Sequence, residues 1–318
     1  MDKLNPLKIG SIVLKNPLIL APMVDVTSLP FRLLCRKYGC SLASTEMVYT
    51  NALLNKNQPT ENMIKTNSKD NPLALQITGN SPKEFEKAVP LLKKHPCKII
   101  DLNCGCPSTR IVGTQAGSYL LKDPKKISQI IKILKKTGKP VTVKIRLGFL
   151  KNRGLQIAKI IEKAGAQAIT VHARLSNHPY SIPAQWSEIA KIKAELKIPV
   201  IANGDILSPE SALSVLNETN CSGLMFARGA LSNPMIFKQT LDFLKTGKYK
   251  PLTKSDRFKL FNEYLSLCKS TRIVELQKIK YLGSHLLSGF PGASQIRNKL
   301  MQLKSFEEIV NFTKNYSV

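Results

Sequence analysis

The stretch PLALQITGNSPKEFEKAVPLLKKHPCKIIDLN, residues 72–103, contains a predicted strand, a helix and a second strand in immediate succession. Residues 72–77 and 98–103 are short apolar runs, and residues 81–94 place apolar side chains three and four positions apart behind a capping serine. A helix between two such strands predicts that they are parallel, because the chain must cross back before the second one starts. This unit decides the fold because the rest of the chain repeats it.

Apolar runs typical of buried strands occur at eight places along the chain, namely 17–22, 41–47, 72–77, 98–103, 141–146, 166–172, 198–203 and 222–228. Amphipathic helical patterns lie between them, such as residues 123–136, which begin with a capping aspartate. Apolar strands that alternate with helices predict an α/β fold with a parallel sheet covered on both faces, and eight units close a TIM (β/α)8 barrel. An open doubly wound sheet is the alternative, which we disfavour because no G-x-G-x-x-G follows the first run.

From about residue 251 the sequence shows helical spacing and no strand-like run, and TGKYKP (246–251) has the composition of a linker. We therefore predict a barrel over residues 1–245 and a small C-terminal helical bundle over residues 251–318. Basic side chains of the bundle that could contact phosphates are Lys269, Lys278, Lys280, Lys299, Lys304, Arg272 and Arg297. A solvated outer face is the alternative interpretation of the same residues.

The composition of the 318-residue chain narrows the class of protein, with 48 Lys plus Arg against 21 Asp plus Glu and a formal charge of +27. A field of that sign attracts polyanions and favours a nucleic acid partner, although a Lys-rich bias of the whole proteome is an alternative. No apolar run is long enough to span a membrane, and the amino terminus has no signal-peptide core. We therefore expect a soluble cytoplasmic protein whose seven scattered cysteines are reduced thiols.

Polar residues follow seven of the eight predicted strands, namely Glu46, Gln76, Asn103, Lys144, Arg146, His172, Arg174, Asn203, Asp205 and Arg228. In a TIM barrel these strand ends converge on one face, where the loops build the active site. Small residues in NGDI (203–206) and ARGAL (227–231) lead from the last two strands into helical segments. Exposed backbone N–H groups there predict a phosphate site.

Taken together, these motifs resemble the tRNA-dihydrouridine synthases in order and spacing. The resemblance rests on LAPMVDVT (20–27), STEMV (44–48), LQITG (75–79), DLNCGCP (101–107), VKIRLG (143–148), VHAR (171–174), ANGDI (202–206), RGAL (228–231) and LLSGFPGASQIRNKL (286–300). It covers nearly the whole chain and implies that the C-terminal bundle is a tRNA-binding domain. We also expect a monomer, because no obligate protein partner is evident from the sequence.

The resemblance implies FMN bound at the top of the barrel and NADPH or NADH as the reductant. Side chains expected at the flavin ring are Pro22, Met23, Gln76, Lys144 and His172, and those expected at its phosphate are Asn203, Gly204, Asp205, Ala227 and Arg228. An amide such as that of Gln76 can bond a flavin edge, and a cation such as Lys144 stabilises the negative charge of a reduced ring.

The implied reaction reduces the C5=C6 double bond of specific uridines in tRNA, with hydride delivered to C6 and a proton from Cys106 to C5. By the same resemblance Asn103 bonds the uracil edge, while Arg146 and Arg174 contact the flipped nucleotide or its phosphate. A base inside folded RNA must leave its stack to reach such a site, which the positive charge of the protein assists.

The Cys-Gly-Cys of the fourth strand end allows three interpretations: a metal clip, a redox pair, or one working thiol beside a bystander. A metal would need further ligands, and the nearby His95 and Cys97 precede the strand, so we expect them at the other end of the barrel and predict no metal site. No second signature supports a redox pair. We favour Cys106 as the working thiol and Cys104 as the bystander.

The chain departs from the family pattern at Ile182 and Gln185, where Gly and Asp are usual, and at Ala227, where Gly is usual. Alternative functions are a dihydroorotate-dehydrogenase-like FMN oxidoreductase on a free pyrimidine and a Schiff-base aldolase using Lys144. An RNA-binding protein that has lost its chemistry is a third. Which uridine is reduced does not follow from the sequence.

Overall fold

The computed structural model describes residues 4–314, and its centre is a closed barrel of eight parallel strands. The described residues contain eleven strands, of which all but β1, β2 and β5 form the barrel. They are β1 (Leu7–Ile9), β2 (Ile12–Leu14), β3 (Leu18–Leu20), β4 (Leu42–Ser44), β5 (Val48–Tyr49), β6 (Leu73–Thr78), β7 (Ile99–Cys104), β8 (Val141–Gly148), β9 (Ala168–Leu175), β10 (Val200–Asn203) and β11 (Gly223–Phe226). The sheet runs β4-β3-β11-β10-β9-β8-β7-β6-β5, and an additional β4–β6 pairing closes it. Each of the eight predicted runs overlaps one barrel strand, which confirms the TIM barrel.

Helices connect the strands and cover the outside of the barrel, as the parallel pairing requires. They are α1 (Leu29–Lys37), α2 (Thr50–Asn55), α3 (Gln58–Ile64), α4 (Pro82–Lys94), α5 (Thr109–Gly113), α6 (Pro124–Lys135), α7 (Gly154–Lys163), α8 (Trp186–Glu195), α9 (Pro209–Thr219), α10 (Arg228–Ser232) and α11 (Ile236–Thr246), with a 3-10 helix at Gly117–Lys122. The predicted caps are confirmed, since Ser81 accepts from the Glu84 amide and Asp123 from the Lys126 amide.

Sequence analysis missed the antiparallel hairpin of β1 and β2, because three-residue strands are too short to show a period. Its side chains Leu7, Ile9 and Leu14 are buried in one cluster with inward residues of the barrel strands, among them Ile19 and Ile201. The hairpin therefore covers the amino-terminal end of the barrel. The two-residue β5, an extra strand beside β6, was missed for the same reason.

Four further helices follow the barrel within the described chain, namely α12 (Lys254–Thr271), α13 (Leu276–Leu286), α14 (Ala293–Gln302) and α15 (Phe306–Lys314). Helix α12 packs against α1, and the Tyr38 hydroxyl bonds Glu263 across that contact at 2.9 Å. The division into units at 1–245 and 251–318 remains a prediction. No helix in the described range is long and apolar enough to cross a membrane.

The structure corrects the prediction that Lys278 and Lys280 could lie on a phosphate-binding face. Lys280 is buried and donates to the Met301 carbonyl at 3.0 Å, and Lys278 turns toward carboxylates at the barrel. Helical spacing placed both in the right element. It could not show which face of that helix the barrel covers.

Candidate active site

The pleat of the strands determines which side chains enter the barrel, because successive residues of a strand point to opposite faces. Ile100 and Leu102 of β7 pack outward in the layer of helices, so Asp101 and Asn103 point inward. The register places Asn103 beside Lys144, Arg146 beside His172, and His172 beside Asn203. The predicted convergence of polar residues at the carboxyl ends of the strands is therefore observed for β7 to β10.

A chain of buried hydrogen bonds crosses the barrel interior and holds Asn103 in place. The Asn103 amide donates to Gln76 Oε1 at 2.8 Å, and Gln76 Nε2 donates to Asp101 at 2.6 Å. Thr142 supports the other oxygen of that carboxylate at 2.6 Å. Burial raises the pKa of Asp101, while its two hydrogen-bond donors oppose the rise. Sequence analysis missed Asp101, although it lies two residues before Asn103 and therefore on the same face of the strand.

The other end of the Asn103 side chain shapes the loop that carries the candidate acid. Asn103 Oδ1 accepts from the amides of Gly105 at 3.1 Å and Cys106 at 3.0 Å, which fixes a tight turn directly after the strand. The Cys106 carbonyl then accepts from the Ser118 amide at 3.0 Å. The turn is thus held on both sides of the Cys106 thiol.

The two cysteines of this turn differ in their surroundings. Cys104 is fully buried, and burial followed by the nearby Asp101 raises its pKa well above the ordinary value. Cys106 is half-buried and lies at the mouth of the barrel. His95 and Cys97 lie before β7 at the opposite end, where Lys139 bonds the His95 carbonyl, as predicted. Within residues 4–314 no cluster of three or more metal-ligating side chains is present.

Lys144 projects from β8 into the barrel and donates to Asn203 Oδ1 at 3.0 Å. Burial, with a further contribution from Arg146, lowers the pKa of Lys144 to about 8. Asn203 also donates to the Met225 carbonyl at 2.8 Å, so its amide joins β8, β10 and β11. A lysine with this pKa is charged at neutral pH but close to losing its proton.

His172 is held neutral by its position among cations. Burial is the largest cause of its strongly lowered pKa, and Lys144, Arg146, Arg174 and Arg228 add to it. Its Nε2 lies 3.1 Å from an Arg174 nitrogen, so this ring atom accepts a hydrogen bond from the guanidinium. The other ring nitrogen then carries the proton and can donate to a ligand.

The arginines of the mouth are engaged with protein groups. Arg174 is buried and pairs with Asp205 at 2.6 Å, and the more exposed Arg228 pairs with the same carboxylate at 2.7 Å. Although partial burial opposes it, these partners and the Ala184 amide hold the Asp205 pKa below its usual range. Arg146 donates to the Gly105 carbonyl at 3.1 Å, so it braces the same turn that Asn103 caps.

One pocket opens at the mouth and is lined by Ala21, Pro22, Met23, Lys144, His172, Tyr180, Asn203, Gly204, Asp205, Ile206, Leu207, Met225, Ala227 and Arg228. Nine of the ten predicted cofactor residues are among them, and the tenth, Gln76, is buried in the interior. The backbone N–H groups of Gly204, Asp205, Ala227 and Arg228 have no acceptor within residues 4–314. Four unpaired donors at one end of a pocket are suited to bind an anion.

Gly204 keeps these donors accessible. Its φ of +116° is a conformation that residues with a side chain rarely adopt, and a Cβ there would lie 3.0 Å from both Ala184 and His172. Trp186 fixes the turn by donating to the Gly204 carbonyl at 3.0 Å. The backbone is thereby held against the pocket without a covering side chain.

Tyr180 covers part of the pocket and was not predicted as a site residue. Its ring stacks on His172 with centroids 6.1 Å apart, and the Arg228 guanidinium lies 4.5 Å from the ring centre. The loop is tied to the barrel through backbone atoms, because the Ile182 carbonyl accepts from Arg174 and the Gln185 amide donates to Ala173. The unusual side chains at 182 and 185 leave these contacts in place.

Comparison with known proteins gives a consistent match over nearly the whole chain. Residues 19–317 match the family model described as Dihydrouridine synthase (Dus). A protein named tRNA-dihydrouridine synthase B from Pseudomonas syringae pv. tomato is 36% identical over 316 residues, covering 96% of this chain and 92% of its own length. The protein of the same name from Pasteurella multocida is 40% identical over 235 residues, covering 73% of this chain and 71% of its own length.

Solved structures with low sequence identity share the barrel. A 2-naphthoyl-CoA reductase complex superposes with a TM-score of 0.59 at 16% identity, covering 76% of this chain and 52% of the other. Histamine dehydrogenase from Rhizobium sp. 4-9 gives a TM-score of 0.58 at 11% identity, with 84% of this chain and 51% of the other covered. The chain spans about half the length of these two structures, and the likeness concerns the fold alone.

Proposed function

Because the chain belongs to the dihydrouridine synthase family, we propose that it reduces the C5=C6 bond of specific uridines in tRNA, with FMN bound in the barrel pocket and NADPH or NADH as the reductant. The observation that carries this proposal is the pairing of two features on one barrel face. A half-buried thiol is held at the mouth by Asn103, and a cation-lined pocket with four unpaired backbone donors opens beside it.

The residues that line the pocket suit the charges of FMN. The amides around Gly204 and Ala227 supply donors for a phosphate, and Arg228 adds a partly exposed cation. Asp205 acts differently from the other residues predicted for that site, because its carboxylate repels a phosphate and instead orients Arg174 and Arg228. Pro22, Met23, Lys144 and His172 line the remainder of the pocket, where the flavin ring belongs, and Gln76 supports the site from the interior.

When bound, FMN supplies the hydride for the uracil ring. Lys144, charged below its pKa of about 8, stabilises negative charge beside it. His172, held neutral, donates from its remaining ring N–H without adding a second full charge.

Cys106 donates the proton that C5 of the uracil receives, since its thiol is half-exposed at the mouth while Cys104 is closed off. Asn103 has one amide hydrogen left for a substrate carbonyl after its three protein contacts. Arg146 and Arg174 contribute positive potential to the nucleotide from buried positions, and both also brace the loops around it.

The partner is tRNA, and the proposed enzyme works as a monomer in the cytoplasm, where tRNA is available. Support comes from the formal charge of +27 and from the relatives named for a tRNA reaction. A small free pyrimidine would not need a basic helical domain for binding, which argues against a reaction of the dihydroorotate dehydrogenase type.

One observation favours a second candidate function, a Schiff-base aldolase, because the lowered pKa of Lys144 is what an amine nucleophile needs. Two simple tests distinguish the flavoenzyme from the aldolase. A flavoprotein is yellow, whereas an aldolase is colourless and is inactivated when borohydride reduces the imine formed between Lys144 and its carbonyl substrate.

The deciding experiment incubates the protein with unmodified tRNA, FMN and NADPH, then maps dihydrouridine by position. No product on any tRNA refutes the proposal. Cys106→Ala should keep the bound flavin and NADPH oxidation but lose uridine reduction by about 100-fold or more, the contribution of a positioned general acid. Cys104→Ala is the matched control and should stay within a few-fold of wild type. Equal losses in both variants would contradict the division of roles between Cys106 and Cys104.

A further inference from the structure

The Glu46 carboxylate is fully buried at the end of the second barrel strand, behind the first loop of the mouth. Burial raises the pKa of Glu46, so a counter-charge is needed to keep the group ionised. Within residues 4–314 the only cation that pairs with it is Lys278, at 3.4 Å. That lysine lies in α13, so the counter-charge comes from the helices that follow the barrel.

Lys278 is itself fixed by acidic neighbours. It also pairs with Glu275 at 3.1 Å and Asp25 at 3.7 Å, and only 18% of its side chain is exposed. Burial lowers the pKa of Lys278, but these carboxylates outweigh burial and raise it. The ammonium is therefore charged and directed at these carboxylates.

Glu46 in turn holds the first loop of the barrel. Its Oε2 accepts from the Asp25 amide at 2.7 Å, a charge-assisted hydrogen bond. Asp25 has a φ of +63°, which a residue with a side chain adopts only when other contacts compensate for the strain. Three and two residues earlier in the loop lie Pro22 and Met23, which line the pocket.

We infer that Glu46 is a positioning residue for the flavin pocket and that Lys278, which the C-terminal helices supply, keeps the Glu46 carboxylate ionised. The ionised carboxylate holds the Asp25 amide, and through it the Pro22–Met23 wall of the pocket. Correct docking of the helices is thereby coupled to cofactor binding. This inference rests on the proposed function, because it takes the ligand of the pocket to be FMN.

The test measures the affinity of the full-length, flavin-free protein for FMN by the change in flavin fluorescence. Lys278→Met should weaken binding by about tenfold, in line with the loss of a charge-assisted bond. Lys278→Arg keeps the charge and should bind within about threefold of wild type. Lys259→Met is the matched control, because it removes an equal charge from an exposed position of α12 and should leave FMN affinity unchanged.

Glu46→Gln tests the same link from the other side and keeps the shape of the buried group. It should weaken FMN binding, and adding Lys278→Met to it should cause little further loss, because both changes break one link. The inference is overturned if Lys278→Met or Glu46→Gln binds FMN as wild type does, or if Lys259→Met weakens binding equally. A wild-type protein that binds no FMN refutes the proposed function itself.

Discussion

Truncation of Asn103 is the sharpest test of how the site is built, because one side chain serves both the turn and the proposed substrate. In Asn103→Ala, the amides of Gly105 and Cys106 lose their common acceptor, and Gln76 loses its donor. The Gly105 amide is buried, whereas Cys106 lies at the mouth and its amide can bond water. A buried donor without a partner costs about 1–3 kcal/mol and a lost neutral bond about 1 kcal/mol. We therefore expect a loss of about 2–4 kcal/mol in the free energy of unfolding.

The assay combines urea unfolding with a single-turnover measurement of dihydrouridine formed on unmodified tRNA. Asn103→Ala should lose both stability and turnover, because the thiol is no longer held over the substrate. Cys106→Ala is the matched comparison, and it should lose turnover while its unfolding free energy changes by less than about 1 kcal/mol.

Two results would refute this reasoning. If Asn103→Ala unfolds with wild-type stability but has lost turnover, its main partner is the uracil and not the turn. If it keeps both stability and turnover, neither role is correct.

Two further predictions concern the pocket. Lys144, with a pKa of about 8, is charged below that pH and neutral above it, so the affinity of flavin-free protein for FMN should fall by about tenfold as pH rises from 7 to 9. The affinity of Lys144→Met should not change over this range. A wild-type affinity that is constant from pH 7 to 9 contradicts the proposal that Lys144 contacts FMN. Gly204→Ala places a Cβ on a backbone of positive φ, 3.0 Å from Ala184 and His172, so FMN affinity measured by equilibrium dialysis should fall by at least about tenfold. Unchanged affinity would mean that the turn at residue 204 does not contact the phosphate.

The barrel could be predicted because its strands are continuous apolar runs with polar residues at one end. Lys144, His172 and Asn203 were found in this way, since a single strand period and the convergence of strand ends define their place. Asp101 could have been found by the same period, because it shares a face with Asn103. Asp101 was not predicted because it lies within its strand, and the prediction rested on polar residues at strand ends.

Other parts of the site had no signal in the sequence. Tyr180 reaches the pocket because Arg174 holds carbonyls of its loop, a contact that no local pattern reveals. The link from Lys278 to Glu46 joins residues 232 positions apart, and helical spacing suggested an RNA contact for that lysine instead. The roles of Arg146 and Asp205 as braces likewise depend on which loops lie beside them in the fold.

The hairpin of β1 and β2 also limits the order of events in the proposed reaction. Because it closes one end of the barrel, the pocket is reached from the opposite mouth, where Cys106, Tyr180 and the unpaired amides lie. In the proposed reaction a nicotinamide reductant and a tRNA loop both reach the flavin through this mouth. We therefore expect the two to bind in turn, with ping-pong kinetics in which each substrate inhibits by occupying the enzyme form to which the other binds.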